Sequence, residues 1–379
     1  MHLPFCVHRC GYCDFVTSVG RLGEHGRYVD ALLAELARER HVLAGKGELE
    51  SVFIGGGTPT FTEPVALARL LDGLPGAGEV TVEANPESLT PALARLLLDG
   101  GVNRVSLGAQ SFTPRLLEVL ERQATPDHVR RAVHTLRDAG FDNISLDLVY
   151  GIPGQSPSDL ELDVMEALRL GPEHLSCYEL EAKPGTRFTR AWSDELERQG
   201  AAMEGYFEAV VDLVSGSGYR WYETANFCLA PGSAAANGRD LRAHHNLGYW
   251  HAAPYLGIGV GAVSTLPREG AGPAAVRRRN LPSVSRYVGA CLGGEPAPCE
   301  TEELDAATME VERLMLGLRL DEPFELTADD SCIDSRMLEQ LEGGGLVHVE
   351  RRQGRPAAIA LTRRGRFLGG AVTAKLLRD

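Results

Sequence analysis

Apolar residues follow two alternating patterns through the first half of the chain. Short runs dense in Val, Leu and Ile at residues 52–54, 79–83, 104–108, 143–150 and 174–180 read as buried strands. Between them, apolar residues fall at helical spacing over 27–43 (Val29, Leu32, Leu33, Leu36), then over 91–99, 114–121, 126–139 and 157–170. The last four helical stretches each open on a proline, which suits the first turn of a helix, where a missing N–H costs nothing. Regular strand–helix alternation with short loops predicts a parallel sheet with helices outside, rolled into a partial (β/α)6 barrel. From about residue 308 the rhythm changes. Helices over 304–320 and 334–343 precede strands at 346–349 and 358–361, with a turn over 351–356, a small winged-helix-like α+β domain. The expected divisions are a barrel at 1–225, a connector at 226–300 and a C-terminal domain at 301–379.

In such barrels the chemistry collects at the C-terminal ends of the strands. Those ends read Gly55-Gly56-Gly57-Thr58-Pro59, Glu83-Ala84-Asn85-Pro86 and Gly108-Ala109-Gln110-Ser111, followed by Asp147 and Tyr178. Upstream of them lies CVHRCGYC, which places Cys6, Cys10 and Cys13 on one short loop. Iron–sulfur clusters and structural zinc both ordinarily take four such ligands. Three thiolates suit a [4Fe–4S] cluster with one iron left open. His2 or His8 could instead complete a Cys3His zinc site, and spacing alone does not choose. The glycine run at the end of 52–54 favours the cluster, because glycine lets backbone approach a ligand closely.

The CxxxCxxC loop followed by GGGTP resembles the radical S-adenosylmethionine (SAM) superfamily. That resemblance implies that Cys6, Cys10 and Cys13 hold the cluster and that SAM chelates its open iron. It also implies that Gly56, Gly57 and Thr58 meet the methionyl group and that Glu83 accepts a hydrogen bond from SAM. Gln110, Arg122 and Asp147 would line the pocket, and Tyr12 would lie against the adenine. In that family an electron from the cluster splits SAM into methionine and a 5′-deoxyadenosyl radical, while the protein positions the reactants.

The resemblance narrows to the relatives of oxygen-independent coproporphyrinogen oxidase. The decarboxylating branch carries a fourth cysteine two positions beyond the third, where this chain has Phe15. His245-Asn246-Leu247-Gly248-Tyr249-Trp250 matches the HNxxYW signature of the haem-chaperone branch, and YLGIGVGA from Tyr255 and LMLGLR from Leu314 also fit. The match implies haem at His245, with Tyr249 and Trp250 as packing surfaces and His244 as a competing ligand. It further implies delivery of haem to haem-accepting proteins, respiratory ones foremost. On residues alone, the same stretch could be a helix start with an asparagine cap and two buried aromatics. A catalytic enzyme acting on a porphyrinogen is the alternative, and a member that keeps only the fold is a third reading. Three departures stand out. Five residues precede Cys6, so the first strand is expected to be mostly missing, the barrel edge unpaired and the true start upstream of Met1. The Ala- and Gly-rich loop at 229–243 is longer than usual, and Val263 stands where many relatives have histidine.

Composition trims these readings. The chain has 379 residues, 44% hydrophobic and 24% charged, as in ordinary globular proteins. It contains no apolar run of bilayer-spanning length, so at most peripheral membrane association is expected. Five further cysteines are scattered without ligand-like spacing, as free thiols of a reducing cytoplasm would be. Six arginines gather between Arg351 and Arg366 and raise a nucleic-acid alternative. The formal net charge of −14 and the lack of a clear recognition helix argue against it.

Overall fold

The computed structural model describes residues 1–43, 49–183, 186–234, 236–268, 272–327 and 332–378. The loop expected at 229–243 therefore lies within the described residues except for position 235. Six parallel strands form the framework: β1 (His2–Leu3), β2 (Leu49–Gly56), β3 (Ala77–Ala84), β4 (Arg104–Gln110), β5 (Ile144–Tyr150) and β6 (His174–Glu179). Helices α1 (His25–Leu43), α2 (Pro64–Asp72), α3 (Pro91–Asp99), α4 (Pro126–Ala139) and α5 (Pro157–Arg169) alternate with them. The prolines do sit in the first turn of α3, α4 and α5. Each is preceded by a Thr or Ser whose hydroxyl accepts from the N3 amide, at Thr90, Thr125 and Ser156. Such caps contribute about 1 kcal/mol apiece.

The sheet continues beyond the six expected strands. After α6 (Met203–Gly216), strands β7 (Tyr219–Trp221) and β8 (Asn226–Leu229) form a hairpin, and β8 pairs antiparallel with β6. The order is β1-β2-β3-β4-β5-β6-β8-β7, an open sheet whose outer strands do not pair with each other. The first strand is short, as expected. His2 and Leu3 pair with Gly55 and Gly56, and the outer edge of β1 is partly covered where the His2 amide donates to the Ile258 carbonyl. One large apolar core lies between the sheet and its helices, with Leu3, Ile54, Val82, Leu107, Leu146 and Leu175 at its centre.

Helix α7 (His244–Trp250) follows the hairpin, and an antiparallel sheet of β9 (Val263–Pro267), β10 (Ala275–Asn280) and β11 (Cys299–Leu304) comes next, with α8 (Val284–Leu292) inserted after β10. The C-terminal part has its own core around Leu314, Leu338, Val349 and Ile359. It holds α9 (Ala306–Gly317), β12 (Phe324–Glu325), α10 (Ser335–Gly343), the hairpin β13 (Val347–Arg352) and β14 (Arg355–Leu361), and α11 (Gly369–Leu376). The hairpin turn is tighter than the residue pattern predicts. It consists of Gln353 and Gly354, both at positive φ, which matches the twist of the flanking strands. Arg351 pairs with Glu342, Arg352 with Glu325 and Arg363 with Asp212, so acidic neighbours offset much of the local positive charge. No helix among the described residues is long and apolar enough to cross a membrane.

Candidate functional site

The cysteine loop leaves β1 and crosses the C-terminal ends of the parallel strands. Phe5 and Cys6 pair with Ser18 and Val19, closing the loop upon itself. Cys6 is buried, Cys10 and Cys13 are half-buried, and all three are free thiols. Thr58 donates its hydroxyl to Cys6 Sγ at 3.4 Å, and Arg122 directs Nη1 at Cys10 Sγ at 3.8 Å. Burial pushes the Cys6 and Cys13 thiols up, and the mutual repulsion of the three sulfurs adds to this. Among the described residues no three His, Cys, Asp or Glu side chains converge as they would around a single ion. His2 points away, with Nε2 at 2.8 Å from the Val16 carbonyl, and His8 lies 3.8 Å from Glu121. Separate sulfurs facing one opening suit a cluster, which takes one thiolate per iron.

That opening is a cavity of about 580 Å³. Cys6, Cys10, Cys13, Tyr12, Gly56, Gly57, Thr58, Glu83, Gln110, Arg122 and Asp147 all line it. The glycines have a second duty within the chain. A Cβ on Gly57 would stand 2.7 Å from the Pro4 backbone, and one on Gly56, at φ 115°, would strike the His2 ring. The run thus lets β1 and the cysteine loop close onto the end of β2. Glu83 accepts from the Gly56 amide at 2.9 Å, and burial raises its pKa to about 7. Asp147, also pushed up by burial, accepts from Ser106 at 3.0 and 3.1 Å. Arg122 is anchored by Asn85 Oδ1 at 3.0 Å and the Gly108 carbonyl at 2.9 Å. Tyr12 packs edge-on against Phe188.

The HNxxYW segment lies elsewhere, at the opposite end of the strands. Both carboxylate oxygens of Glu79 on β3 accept backbone N–H groups at the start of α7, from His244 at 3.1 Å and His245 at 3.2 Å. A carboxylate there satisfies otherwise orphaned donors and complements the helix dipole. The His245 ring stacks on Phe53 with centroids 4.6 Å apart and 14° between planes, and its Nδ1 lies 3.3 Å from Ser51 Oγ. Tyr249, one turn on, meets His245 edge-on at 4.9 Å. Burial pulls the His245 pKa down to about 4, so the imidazole is neutral at pH 7.

His244, His245 and Tyr249 line a second cavity of about 340 Å³, walled mainly by Leu36, Leu49, Val52, Tyr255 and Ile258. Trp250 does not join them. It packs beside the cluster of Tyr222, Leu247 and Leu320, under the guanidinium of Arg319, and its buried Nε1 has no hydrogen-bond partner among the described residues. Phe53 lines both cavities, and Asn246 of the same motif faces the cysteine cavity. Residue types alone pass over Arg104, Asn246 and Glu79. For Arg104 there is a signal, a lone cation heading the otherwise uncharged run RVSLGAQ, whereas Glu79 meets α7 only through the fold.

Comparison with known proteins bears on the family and the fold. A model of the radical SAM superfamily matches residues 1–166. The haem chaperone HemW of Mycobacterium tuberculosis is 32% identical over 399 residues, which cover 100% of this chain and 94% of that protein. HemW of Bacillus subtilis is 31% identical, covering 100% and 98%. HemW of Escherichia coli is 36% identical over 270 residues, covering 69% and 68%. Among solved structures, coproporphyrinogen III oxidase (HemN) of Escherichia coli, described as a radical SAM enzyme, superposes with a TM-score of 0.78 over 99% of this chain and 88% of its own. At 20% identity that likeness shows a common fold. With relatives matched along the whole chain above the 30% level, and with the cysteine loop, glycine run and HNxxYW helix all in place, the chain belongs to the HemW family of haem chaperones within the radical SAM superfamily.

Proposed function

We propose that this protein is an iron–sulfur, SAM-binding haem chaperone that takes haem at His245 and passes it to haem-dependent proteins, those of the respiratory chain foremost. One observation carries the reading: a single helix, α7, presents Asn246 to the cysteine cavity and His245 with Tyr249 to the second cavity. A neutral imidazole is an effective axial ligand to haem iron. The contact of Nδ1 with Ser51 fixes the ring and leaves Nε2 as the coordinating atom, the arrangement in which outer partners commonly orient a metal-bound histidine.

In this reading Cys6, Cys10 and Cys13 hold the [4Fe–4S] cluster, which supplies an electron and an open coordination site when bound. Gly56, Gly57, Thr58, Glu83, Gln110, Arg122 and Asp147 surround SAM, and Tyr12 covers its adenine. Tyr249 offers an aromatic edge beside the haem, while Trp250 steadies α7 from its other face. The free cysteines fit a reducing, cytoplasmic setting. Phe15, 61% exposed at the cavity rim, stands where the decarboxylating branch has its fourth cysteine, which favours a chaperone over an enzyme.

Haem titration of the wild type and of His245→Ala, each with reconstituted cluster, tests the proposal. The variant is expected to lose at least about tenfold in affinity, since losing even an outer partner of a metal-bound histidine costs that much. Undiminished binding would move the ligand away from His245. Anaerobic incubation with coproporphyrinogen III is expected to leave the substrate intact, and robust conversion to protoporphyrinogen would replace the chaperone reading with an enzymatic one.

A further inference from the structure

Arg104 heads β4 and lines the cysteine cavity, yet the residue is 3% exposed. Its Nε is buried without a hydrogen-bond partner among the described residues. Glu83 and Asp147 feel its charge only through space. Burial holds both of those carboxyls towards the neutral form, and Asp147 already takes the Ser106 hydroxyl. After burial, the same cation further disfavours protonation of His174 and His245, so neither imidazole is a counter-charge for it. Leaving the buried Nε of Arg104 unpaired is costly, so an acceptor from outside the chain would relieve it.

The contrast with Arg122 is informative. Arg122 stands beside the cysteines with acceptors from Asn85, Gly108 and Cys10. Arg104 stands at the far end of the same cavity, six residues earlier on β4 than Gln110. The side chains of Asn246, Ser106 and Ser176 line that cavity as well. The Ser106 and Ser176 hydroxyls are engaged by Asp147, so Arg104 and Asn246 supply the free donors, a planar fork of N–H groups and an amide, a set that matches a carboxylate. A ligand whose carboxylate is held at the mouth cannot also fill the inner end with that group.

We propose that Arg104 and Asn246 form a carboxylate receptor at the inner end of the cysteine cavity. Two carboxylates fit this chemistry: a propionate of a tetrapyrrole and the amino-acid carboxylate of SAM. Asn246 shares α7 with His245, which favours the propionate; that choice of source rests on the haem reading above, whereas the receptor itself does not.

The test compares Arg104→Met, Arg104→Lys and Asn246→Ala with the wild type, all with reconstituted cluster and with folding checked by circular dichroism. Dissociation constants are measured for haem, for haem dimethyl ester and for SAM. The wild type is expected to favour the free acid over the ester by about tenfold, the scale of a charge-assisted bidentate contact. Arg104→Met should erase that preference, Arg104→Lys should keep part of it, and SAM binding should stay unchanged. If Arg104→Met instead weakens SAM about tenfold and leaves the acid–ester preference intact, the receptor stands with SAM as its source. A folded Arg104→Met that matches the wild type in both arms overturns the receptor. Should the wild type take up no haem, the haem reading falls and the SAM arm alone decides, with unchanged SAM affinity overturning the receptor. If Arg104→Met does not fold, Arg104→Lys and Asn246→Ala carry the same comparison under the same criteria.

Discussion

The two cavities of this protein are built by opposite strategies. The cysteine cavity is lined mainly by consecutive strand ends, which add polar groups in chain order from Cys6 to Lys183, with Arg104 at the head of β4 and Asn246 on α7 as exceptions. The second cavity is mostly apolar and is assembled from distant pieces, α1, β2, α7 and the segment that leads to β9. A site made of successive strand ends can be read off the chain because the repeat announces where each group will stand. A site made of remote surfaces depends on how α7 is seated, and only its ligand-bearing helix carries a local signature.

The sharpest way to break this comparison is at the cysteines. Cys10→Ala should abolish the brown absorbance of the reconstituted cluster, while haem affinity at the second cavity stays within about threefold, the scatter of context-dependent contacts. A parallel loss of haem binding would show that the cavities are not separately built. Gly57→Ala comes next. Its Cβ would face rigid Pro4 backbone at 2.7 Å, so overpacking should cost about 1–3 kcal/mol in chemical denaturation. The loss should show first as weaker SAM binding. Unchanged stability would mean that the cysteine loop yields easily.

Glu83 sharpens the electrostatic side of the contrast. Its carboxyl is raised from 4.5 to about 7, so the folded chain binds more protons than the unfolded chain between those values. The stabilisation is complete below about pH 4.5 and disappears as pH rises through 7, a slope worth on the order of 1–3 kcal/mol. Glu83→Gln should flatten that part of the stability–pH profile, and an unaltered profile would assign the slope to another group. The smallest effect is expected at Trp250. Its indole Nε1 has no partner to lose among the described residues, so Trp250→Phe should shift stability by less than about 1 kcal/mol and leave haem affinity unchanged. A large drop in haem affinity would place the indole in the haem site after all.

What the chain discloses before folding follows the same division. The strand–helix alternation, the prolines in the first turns and the polar strand ends are local properties, and the structure places them together as expected. Helix α6 and the β7–β8 hairpin lack a comparable repeat, and the residue pattern passes over them. HNxxYW groups three residues by adjacency, yet a helix sorts them by angle. His245 and Tyr249 stand four apart and share a face, whereas Trp250, one position further, turns towards Leu320. Arg104 looks like a strand boundary in the bare chain, and its isolation becomes visible only once Glu83, Asp147 and His174 are arrayed around it.

The carboxylate of Glu79 has a mechanical corollary. It grips the first turn of α7 from one end of β3, and Glu83, four residues along that strand, reaches the Gly56 amide beside the sulfur-bearing loop. A strand rises about 3.3 Å per residue, so a single stiff rod of roughly 13 Å joins the two chambers. The distance between the seat of α7 and the seat of the sulfur-bearing loop is therefore set by the backbone of β3 itself.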